Sequence, residues 1–165
     1  MRLFIAIKLN NELRSSVCDV QRQLADSDVR GNFTSAENLH ITLAFIGEYG
    51  DPERVLEVMH TVRFEHFTLS LEGIGSFGDL WWIGVSRSEE LTSYVKRLRR
   101  ALADAGIPFD RKRFSAHITA VRRADMDYIP AVTVPNTAMT ARRVSLIRSD
   151  RGKSGMIYTE LGYID

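Results

Sequence analysis

The chain has 165 residues, of which 44% are apolar and 26% charged, a balance that indicates one folded domain over residues 1–165 and excludes a disordered chain. The apolar runs are too short for a membrane-spanning helix or a secretory signal, and a single cysteine, Cys18, excludes an internal disulfide and favours a reducing setting, so we expect a cytoplasmic protein. Lys and Arg number 22 against 21 Asp and Glu, and the resulting net charge of +1 gives no sign of a polyanionic partner.

The first half of the chain predicts strands that alternate with helices. Residues 2–9 are apolar on both faces, which is typical of a buried strand, and Asn10 is placed to cap the helix that follows. That helix has one apolar stripe, made of Leu13, Val17, Val20 and Leu24. A second strand is predicted at 39–46, and Asp51-Pro52-Glu53 indicates the start of a second helix.

The second half of the chain predicts one helix and five strands. The strands are expected at 67–74, 80–85, 114–121, 141–149 and 156–163. A capping box of Ser86 and Glu89 begins the helix, and Gly106 ends it. Because short connections join neighbouring strands, we expect antiparallel pairing and an α+β fold rather than a doubly wound parallel sheet.

A glycine-rich segment, Gly73-Ile-Gly75-Ser-Phe-Gly78, has the spacing of a dinucleotide-binding loop. Such a loop must lead directly into a helix, because the helix N-terminus holds the pyrophosphate. The residues that follow, Asp79 to Val85, are typical of a strand. We therefore interpret the segment as the turn of a β-hairpin.

One tripeptide occurs twice: His-Ile-Thr begins at His40 and again at His117, each time in a predicted strand. Since side chains alternate between the faces of a strand, the His and Thr of each copy share one face while their neighbours point into the core. A repeat at nearly half the chain length suggests two similar lobes, each with one copy. If the lobes face each other, the two His-Thr pairs converge in one cleft.

Two imidazoles and two hydroxyls suit acid–base catalysis at phosphorus. One neutral and one protonated histidine coexist near neutral pH, so one accepts a proton from a nucleophile and the other donates to a leaving group. Threonine hydroxyls donate hydrogen bonds to the remaining phosphate oxygens. A zinc site on His40 and His117 is the alternative, but the other histidines, His60 and His66, lack metal-ligand spacing and are interpreted as ordinary surface or half-buried residues.

The sequence resembles the two-histidine phosphoesterases, in particular the bacterial and archaeal RNA 2′,3′-cyclic phosphodiesterases once named 2′-5′ RNA ligases. The mark of that family is a pair of H-x-T-x tetrapeptides in strands, one in each lobe. The resemblance covers nearly the whole chain. It is carried by Met1 to Ile7, Glu37 to Gly47, Gly73 to Gly78, Trp82 to Val85, His117 to Ala120 and Ser145 to Ser149.

The resemblance implies a bilobal α+β fold of two antiparallel sheets with outer helices, related by a pseudo-twofold axis. It implies that His40 is the proton donor to the leaving ribose oxygen, that His117 is the proton acceptor that activates water, and that Thr42 and Thr119 bind the phosphate. The implied reaction converts an RNA 2′,3′-cyclic phosphate end to a 2′-phosphomonoester. No metal or other cofactor is implied, and the expected partner is RNA or a nucleotide with that end.

Two further residues follow the family pattern by their position five residues after each histidine. Phe45 is expected beside the nucleotide base and Arg122 beside the phosphate, where a guanidinium can donate two hydrogen bonds. Strict alternation puts both on the face opposite the histidines, so these roles require a strand end or a twist that redirects the side chains. Ala116 and Ala120 depart from the proline and leucine of many members, which affects packing rather than chemistry.

Three other functions stay open on the sequence alone: a 2′-5′ RNA ligase, a cyclic phosphodiesterase for small nucleotides, and a non-catalytic RNA-binding module. We expect no membrane partner and a monomeric protein. Hydrolysis of a nucleoside 2′,3′-cyclic phosphate in EDTA, compared between the unaltered protein and the His40→Ala and His117→Ala variants, separates a metal-independent two-histidine enzyme from a non-catalytic module and leaves the size of the substrate open.

The net charge hides an uneven distribution. Residues 1–95 hold 8 basic and 14 acidic side chains, whereas residues 96–165 hold 14 basic and 7 acidic. The loop Arg111 to Arg113 precedes the second histidine, where it would attract a phosphate backbone, so we predict that RNA approaches over the C-terminal lobe. A solvated helix face is the interpretation for four other basic residues, Lys96, Arg97, Arg99 and Arg100.

Overall fold

The computed structural model describes residues 1–165 as nine strands and three helices. The strands are β1 (Arg2–Lys8), β2 (Asn32–Phe33), β3 (His40–Glu48), β4 (Phe67–Phe77), β5 (Leu80–Val85), β6 (His117–Arg122), β7 (Ala138–Ala141), β8 (Val144–Gly152) and β9 (Gly155–Ile164). The helices are α1 (Asn11–Asp26), α2 (Pro52–His60) and α3 (Glu89–Asp104), and a short 3₁₀ turn at Ala36–Asn38 precedes β3.

All strand pairs are antiparallel, and they form two sheets. The first, which we call the His40 sheet, has the order β3-β1-β8-β9, and the second, the His117 sheet, has the order β2-β6-β5-β4-β7. The predicted α+β architecture is confirmed. The two sheets approach each other where β3 contacts β6, so the strands that carry the two His-Ile-Thr copies lie close together.

The helices cover the two sheets from outside. α1 packs on the His117 sheet at β6 and β7, whereas α2 and α3 pack on the His40 sheet and against each other. The predicted stripe of α1 is buried, as are the apolar faces of α2 and α3. One cluster of 39 buried residues extends through both sheets and all three helices. No helix combines the length and apolar character needed to cross a bilayer.

The two halves of the fold repeat each other in detail. The Asn10 side chain accepts a hydrogen bond from the Leu13 amide at 2.8 Å, and at the equivalent place in the second half the Ser88 side chain accepts one from the Leu91 amide at 3.1 Å. Ser88 is therefore the N-cap of α3, and the sequence-based choice of Ser86 was wrong. The buried residues repeat at the same spacing: Leu13, Val17, Val20 and Leu24 correspond to Leu91, Val95, Leu98 and Leu102.

Several predicted strands have different limits in the structure. The segment 141–149 is divided, because β7 pairs with β4 in the His117 sheet and β8 pairs with β1 in the His40 sheet. The strand expected at 114–121 begins only at His117, since the Ser115 carbonyl accepts a hydrogen bond from the His117 ring rather than from a neighbouring strand. The two-residue strand β2 was not predicted.

The glycine-rich segment forms the β4–β5 hairpin, as predicted. β4 continues to Phe77, past the expected end, because a bulge between Leu71 and Ile74 keeps it paired with β5. Gly78 adopts a φ of +62° at the turn, a conformation that favours glycine. No helix follows, so the dinucleotide-binding interpretation is excluded by the local structure.

The basic residues of the second half of the sequence do not lie in one lobe, and the approach of RNA over a C-terminal lobe stays a prediction. β8 lies between β1 and β9, so the end of the chain completes the sheet that its beginning starts. Arg148 and Arg151 of β8 therefore belong to the His40 sheet. The loop Arg111 to Arg113 leads instead into the His117 sheet, and the basic second half of the sequence is divided between the two sheets.

Candidate active site

The first His-Ile-Thr copy occupies the start of β3. Ile41 and Leu43 are fully buried on the core side, whereas His40 and Thr42 are half-buried on the opposite face, as alternation predicts. The His40 Nε2 atom lies 2.9 Å from the Thr42 hydroxyl. An imidazole and a hydroxyl thus stand side by side on a rigid strand.

The second copy repeats this arrangement at the start of β6. Ile118 and Ala120 are fully buried, and His117 and Thr119 are half-buried on the other face. Across the sheet, Gly84 of β5 pairs with His117. Both copies therefore present their polar side chains as expected.

The tautomer of each histidine follows from its backbone contact. The Nδ1 atom of His40 lies 2.7 Å from the Asn38 carbonyl, and that of His117 lies 2.7 Å from the Ser115 carbonyl. A carbonyl only accepts, so Nδ1 carries a proton in both rings. Nε2 is left as the atom of each ring that can accept or donate a proton at a substrate.

Aromatic rings hold both imidazoles in place. His40 packs against Phe4 and Tyr158, with ring centroids 4.9 Å and 5.5 Å away, and these two rings also contact each other at 5.0 Å. His117 lies against Phe77 at 5.3 Å and Trp82 at 6.1 Å. Both imidazoles are half-buried beside these rings. None of these four aromatic residues was predicted from the sequence to belong to the site.

A β-bulge follows the threonine in both copies. In β3 the pairing passes from Thr42 to Ala44 and omits Leu43, and in β6 it passes from Thr119 to Val121 and omits Ala120. Each bulge adds one residue and so reverses the alternation that follows it. This supplies the irregularity that the expected roles of Phe45 and Arg122 required.

After the bulges, Phe45 and Arg122 lie on the same face as the histidines. Phe45 pairs with Phe4, which contacts the His40 ring. The Arg2 guanidinium lies 4.8 Å from the centre of the Phe45 ring, within range of a cation–π interaction. Phe45 therefore has one ring face engaged by a cation at the edge of the site.

A cleft of about 550 Å³ joins these groups and falls in the range of ligand sites. Four of the expected residues line it, namely His40, Thr42, Phe45 and Arg122. The residues found only from the structure include Arg2, Phe4, Arg151 and Tyr158. His117 and Thr119 do not line this cleft, although Arg122 of the same strand does.

No local pattern points to Tyr158 or Arg151. Both reach the cleft through the pairing of β8 with β1 and of β9 with β8, and such long-range pairing leaves no local signal. A second cleft, of about 440 Å³, lies beside α3 and contains neither histidine of the repeated tripeptide. Its charged lining is mixed, with three carboxylates, from Glu65, Glu89 and Glu90, and two guanidinium groups, from Arg63 and Arg97.

The electrostatic environment favours neutral histidines in the free protein. Burial lowers the pKa of His40 most, and the charges of Arg122 and His117 lower it further, against an opposing contribution from the Asn38 carbonyl. Burial and Arg122 also lower the pKa of His117, against the Ser115 carbonyl. The charge of Arg122 thus lowers the pKa of both histidines, so the side chains of β3 and β6 are electrostatically coupled.

The zinc alternative finds no support in the side chains. No group of three or more His, Cys, Asp or Glu side chains is close enough to hold a metal ion, whereas a protein zinc site uses three or four such ligands. His60 and His66 are exposed and lie outside the cleft, as expected for ordinary surface residues.

A family model and curated relatives match most of the chain. The model described as the 2′-5′ RNA ligase superfamily matches residues 12–153. A protein of Archaeoglobus fulgidus named RNA 2′,3′-cyclic phosphodiesterase is 37% identical in an alignment that covers 74% of this chain and 72% of that protein. An Escherichia coli protein of the same name is 30% identical in an alignment that covers 97% of this chain and 93% of that protein.

Solved structures share the fold over nearly the whole length. The apo structure of E. coli LigT aligns with a TM-score of 0.83 at 27% identity, covering 99% of this chain and 95% of that one. A crystal structure described as a phosphoesterase aligns with a TM-score of 0.85 at 28% identity, covering 99% and 96%. LigT has also been crystallised with 3′-AMP.

Proposed function

This chain belongs to the 2′-5′ RNA ligase superfamily of two-histidine phosphoesterases, and on that premise we propose that it hydrolyses RNA 2′,3′-cyclic phosphate ends to 2′-phosphomonoesters. One observation carries the proposal: Arg122, from the strand of the second His-Ile-Thr copy, lines the same cleft as His40 and Thr42 of the first. Side chains from both strands, β3 and β6, therefore reach the same cleft.

The reaction is an in-line displacement at phosphorus. The Nε2 atom of His117 accepts a proton from water, and the water oxygen forms a bond to phosphorus. The bond from phosphorus to the 3′-oxygen breaks, and the Nε2 atom of His40 donates a proton to that oxygen. Each proton transfer is worth about 10²- to 10⁴-fold in rate. The backbone contacts of Nδ1 support these roles, because they leave Nε2 as the reacting atom.

The remaining site residues bind the substrate. The hydroxyls of Thr42 and Thr119 donate to non-bridging phosphate oxygens, and Arg122 neutralises the charge that develops on them. Phe45 contacts the nucleotide base, with Arg2 behind its ring at 4.8 Å. The cleft needs no metal ion or other cofactor for this chemistry.

Substrate binding prepares the histidines for catalysis. The positive charge of Arg122 lowers the pKa of both rings in the free protein. A bound cyclic phosphate carries one negative charge, which offsets that of Arg122 and raises both values. His40 then enters the reaction protonated, although burial disfavours its charge before the substrate binds.

Further properties of the chain belong to the same proposal. Residues 1–165 form a single domain of two lobes, which the shared cluster of 39 buried residues supports. The partner is RNA, or a nucleotide, with a cyclic phosphate end. The protein acts as a monomer in the cytoplasm, where the lone Cys18 stays reduced.

Turnover of a nucleoside 2′,3′-cyclic phosphate in EDTA tests this function. We expect the unaltered protein to release a 2′-phosphomonoester and the His40→Ala and His117→Ala variants to lose at least about 10²-fold in kcat. His60→Ala is the matched control, because His60 is an exposed histidine outside the cleft. The position of the phosphate in the product is identified by phosphorus NMR.

Each contrary result points to a different function. Full turnover by either histidine variant excludes the two-histidine mechanism, and loss of turnover in EDTA indicates a metal-dependent enzyme. Binding of the substrate without turnover indicates an RNA-binding module. Formation of a 2′-5′ bond from a cyclic end and a 5′-hydroxyl end would instead show the ligase direction.

A further inference from the structure

A helix side chain contacts the bulge that follows Thr119. The Gln21 side chain of α1 donates from Nε2 to the Ala120 carbonyl at 3.0 Å and to the Thr34 carbonyl at 2.9 Å. Ala120 is the residue that the strand pairing omits. Gln21 is half-buried and lies outside the cleft, so it does not touch a substrate there.

A different side chain makes the equivalent contacts at the other bulge. Arg99 of α3 donates from Nε to the Leu43 carbonyl at 3.1 Å and from Nη1 to the Lys112 carbonyl at 2.7 Å. The rings of Phe109 and Phe114 lie 5.8 Å and 5.7 Å from its guanidinium. Interpreting Arg99 as part of a solvated helix face was therefore wrong, because it is half-buried and its pKa is lowered by burial.

The two sets of contacts are related by the internal repeat. Gln21 and Arg99 are separated in the sequence by the same distance as their partners Thr34 and Lys112. The two bulge residues, Leu43 and Ala120, have the same separation as His40 and His117. Two chemically unlike side chains thus make the same pair of hydrogen bonds at equivalent places, which a chance surface contact would not produce.

We propose that Gln21 and Arg99 are positioning residues that hold the two bulges, and that Gln21 thereby directs Arg122, and Arg99 directs Phe45, into the cleft. A bulge residue loses its regular place in the ladder, so hydrogen bonds from outside that strand pair help to fix its position. The two side chains supply donors at these points. The inference rests on the proposed function, because it assigns the two residues a role in that site.

The hydrogen bonds of Gln21 and Arg99 each join one half of the repeat to the other half. Gln21 precedes the first His-Ile-Thr copy in the sequence but acts on the second, and Arg99 precedes the second copy but acts on the first. The preceding loops cross in the same way: the Thr34 amide donates to the Ala120 carbonyl at 3.0 Å, and the Asp110 amide donates to the Phe45 carbonyl at 2.8 Å. Each half therefore sets the geometry of the other half's motif.

The test compares Gln21→Met with a matched control on the same helix. Gln23 also exchanges hydrogen bonds with backbone groups, those of Thr133, at 2.8 Å each, but does not contact β6. We expect Gln21→Met to lower kcat/KM for a nucleoside 2′,3′-cyclic phosphate by about 10- to 100-fold, the cost of misplacing a binding group, and Gln23→Met to lower it less than about 2-fold. If Gln21→Met fails to fold, Gln21→Asn shortens the same side chain and serves instead.

A double-mutant cycle with Arg122→Met separates positioning from a general loss of structure. If Gln21 acts through Arg122, the Gln21→Met change should lower kcat/KM by less than about 2-fold in the Arg122→Met background. Equal losses in both backgrounds would overturn the proposal for Gln21. For Arg99, the corresponding cycle uses Phe45→Ala, with Arg97→Met on the same helix as the control and Arg99→Lys expected to retain more activity than Arg99→Met.

A readout that needs no turnover keeps this inference separate from the proposed function. Because Arg122 lowers the pKa of His40 and His117, its displacement in Gln21→Met should raise both values in an NMR titration, and Gln23→Met should leave them unchanged. Unchanged values in Gln21→Met would overturn the inference. A shifted titration in a protein without turnover would overturn only the proposed function.

Discussion

At the scale of single residues, Arg122 connects the two strands of the site. It belongs to β6 but lines the cleft that contains His40 and Thr42 of β3, and its charge acts on both histidines. In the proposed function the same guanidinium would bind the phosphate, and its charge already lowers the pKa of both histidines. Its removal should have two separable effects.

We predict that Arg122→Met lowers kcat/KM about 10²-fold and moves the pH profile to higher pH. The rate falls because a charged donor to the phosphate is lost. The profile moves because a positive charge that opposes protonation of His40 and His117 is gone, so the pKa of each ring rises. Measurement of kcat/KM across pH reports these values for the free enzyme.

The neighbouring Arg123 provides the control for this experiment, since it is exposed and does not affect the pKa of either histidine. Arg123→Met should leave both limbs of the profile in place. A shift of the Arg122→Met profile toward lower pH would contradict the electrostatic role assigned here.

How far the site residues could be predicted depends on the range of the interaction that places them. His40, Thr42, His117 and Thr119 were predicted, since strand alternation alone fixes which face they occupy. The direction of Phe45 could not be predicted, because the bulge before it exists only in the pairing with β1. The catalytic and binding roles of all these residues stay predictions until the activity of their variants is measured.

At the scale of elements, β5 supports the second His-Ile-Thr copy. Gly84 pairs with His117, and a Cβ at this position would collide with the Glu72 carbonyl of β4. The backbones of β4 and β5 therefore approach each other behind the histidine more closely than a side chain allows. Glycine is required here by close approach, although its φ angle is unexceptional.

We predict that Gly84→Ala destabilises the protein by about 1–3 kcal/mol, because β4 must move away from β5 to accommodate the methyl group. For a chain of this size that lowers Tm by several degrees, measurable by circular dichroism. Gly50→Ala is the matched control, since nothing lies within 4 Å of a Cβ at that position. Equal Tm values for the two variants would contradict the close approach.

Helices were predicted more accurately than strands, for a physical reason. The cap of α1 at Asn10 and the start of α2 at Asp51 and Pro52 are local signals, and both are confirmed. The limits of strands depend on partners far away in the sequence. The apolar pattern at 141–149 is continuous, yet its two parts pair in different sheets, which no local pattern distinguishes.

At the scale of the whole molecule, the distribution of charge follows the sheets rather than the sequence. Arg151 of β8 and Arg2 of β1 both line the cleft, although they come from opposite ends of the chain. The loop Arg111 to Arg113 is exposed and follows Asp110, whose amide bonds to Phe45. Basic groups therefore lie on more than one side of the candidate site.

We predict that Arg151→Ala weakens the salt dependence of turnover for an oligonucleotide with a cyclic phosphate end. Loss of one phosphate contact to single-stranded RNA reduces the slope of log kcat/KM against log salt by about 0.7. Arg113→Ala tests the loop predicted from the sequence and should give a similar reduction. Lys96→Ala, on the exposed face of α3, should leave the slope unchanged, and a reduction there would indicate non-specific attraction.

The order of strands in the His40 sheet has a consequence for synthesis of the protein. The strands of the His117 sheet, and the helix α1 that covers it, are all present once residue 141 has been made. The His40 sheet is complete only after β8 and β9, residues 144–164, have emerged. Since β8 is the neighbour of β1, the platform of the first histidine is assembled last. A chain made only as far as residue 141 therefore contains every strand of the sheet that carries His117, but only β1 and β3 of the sheet that carries His40.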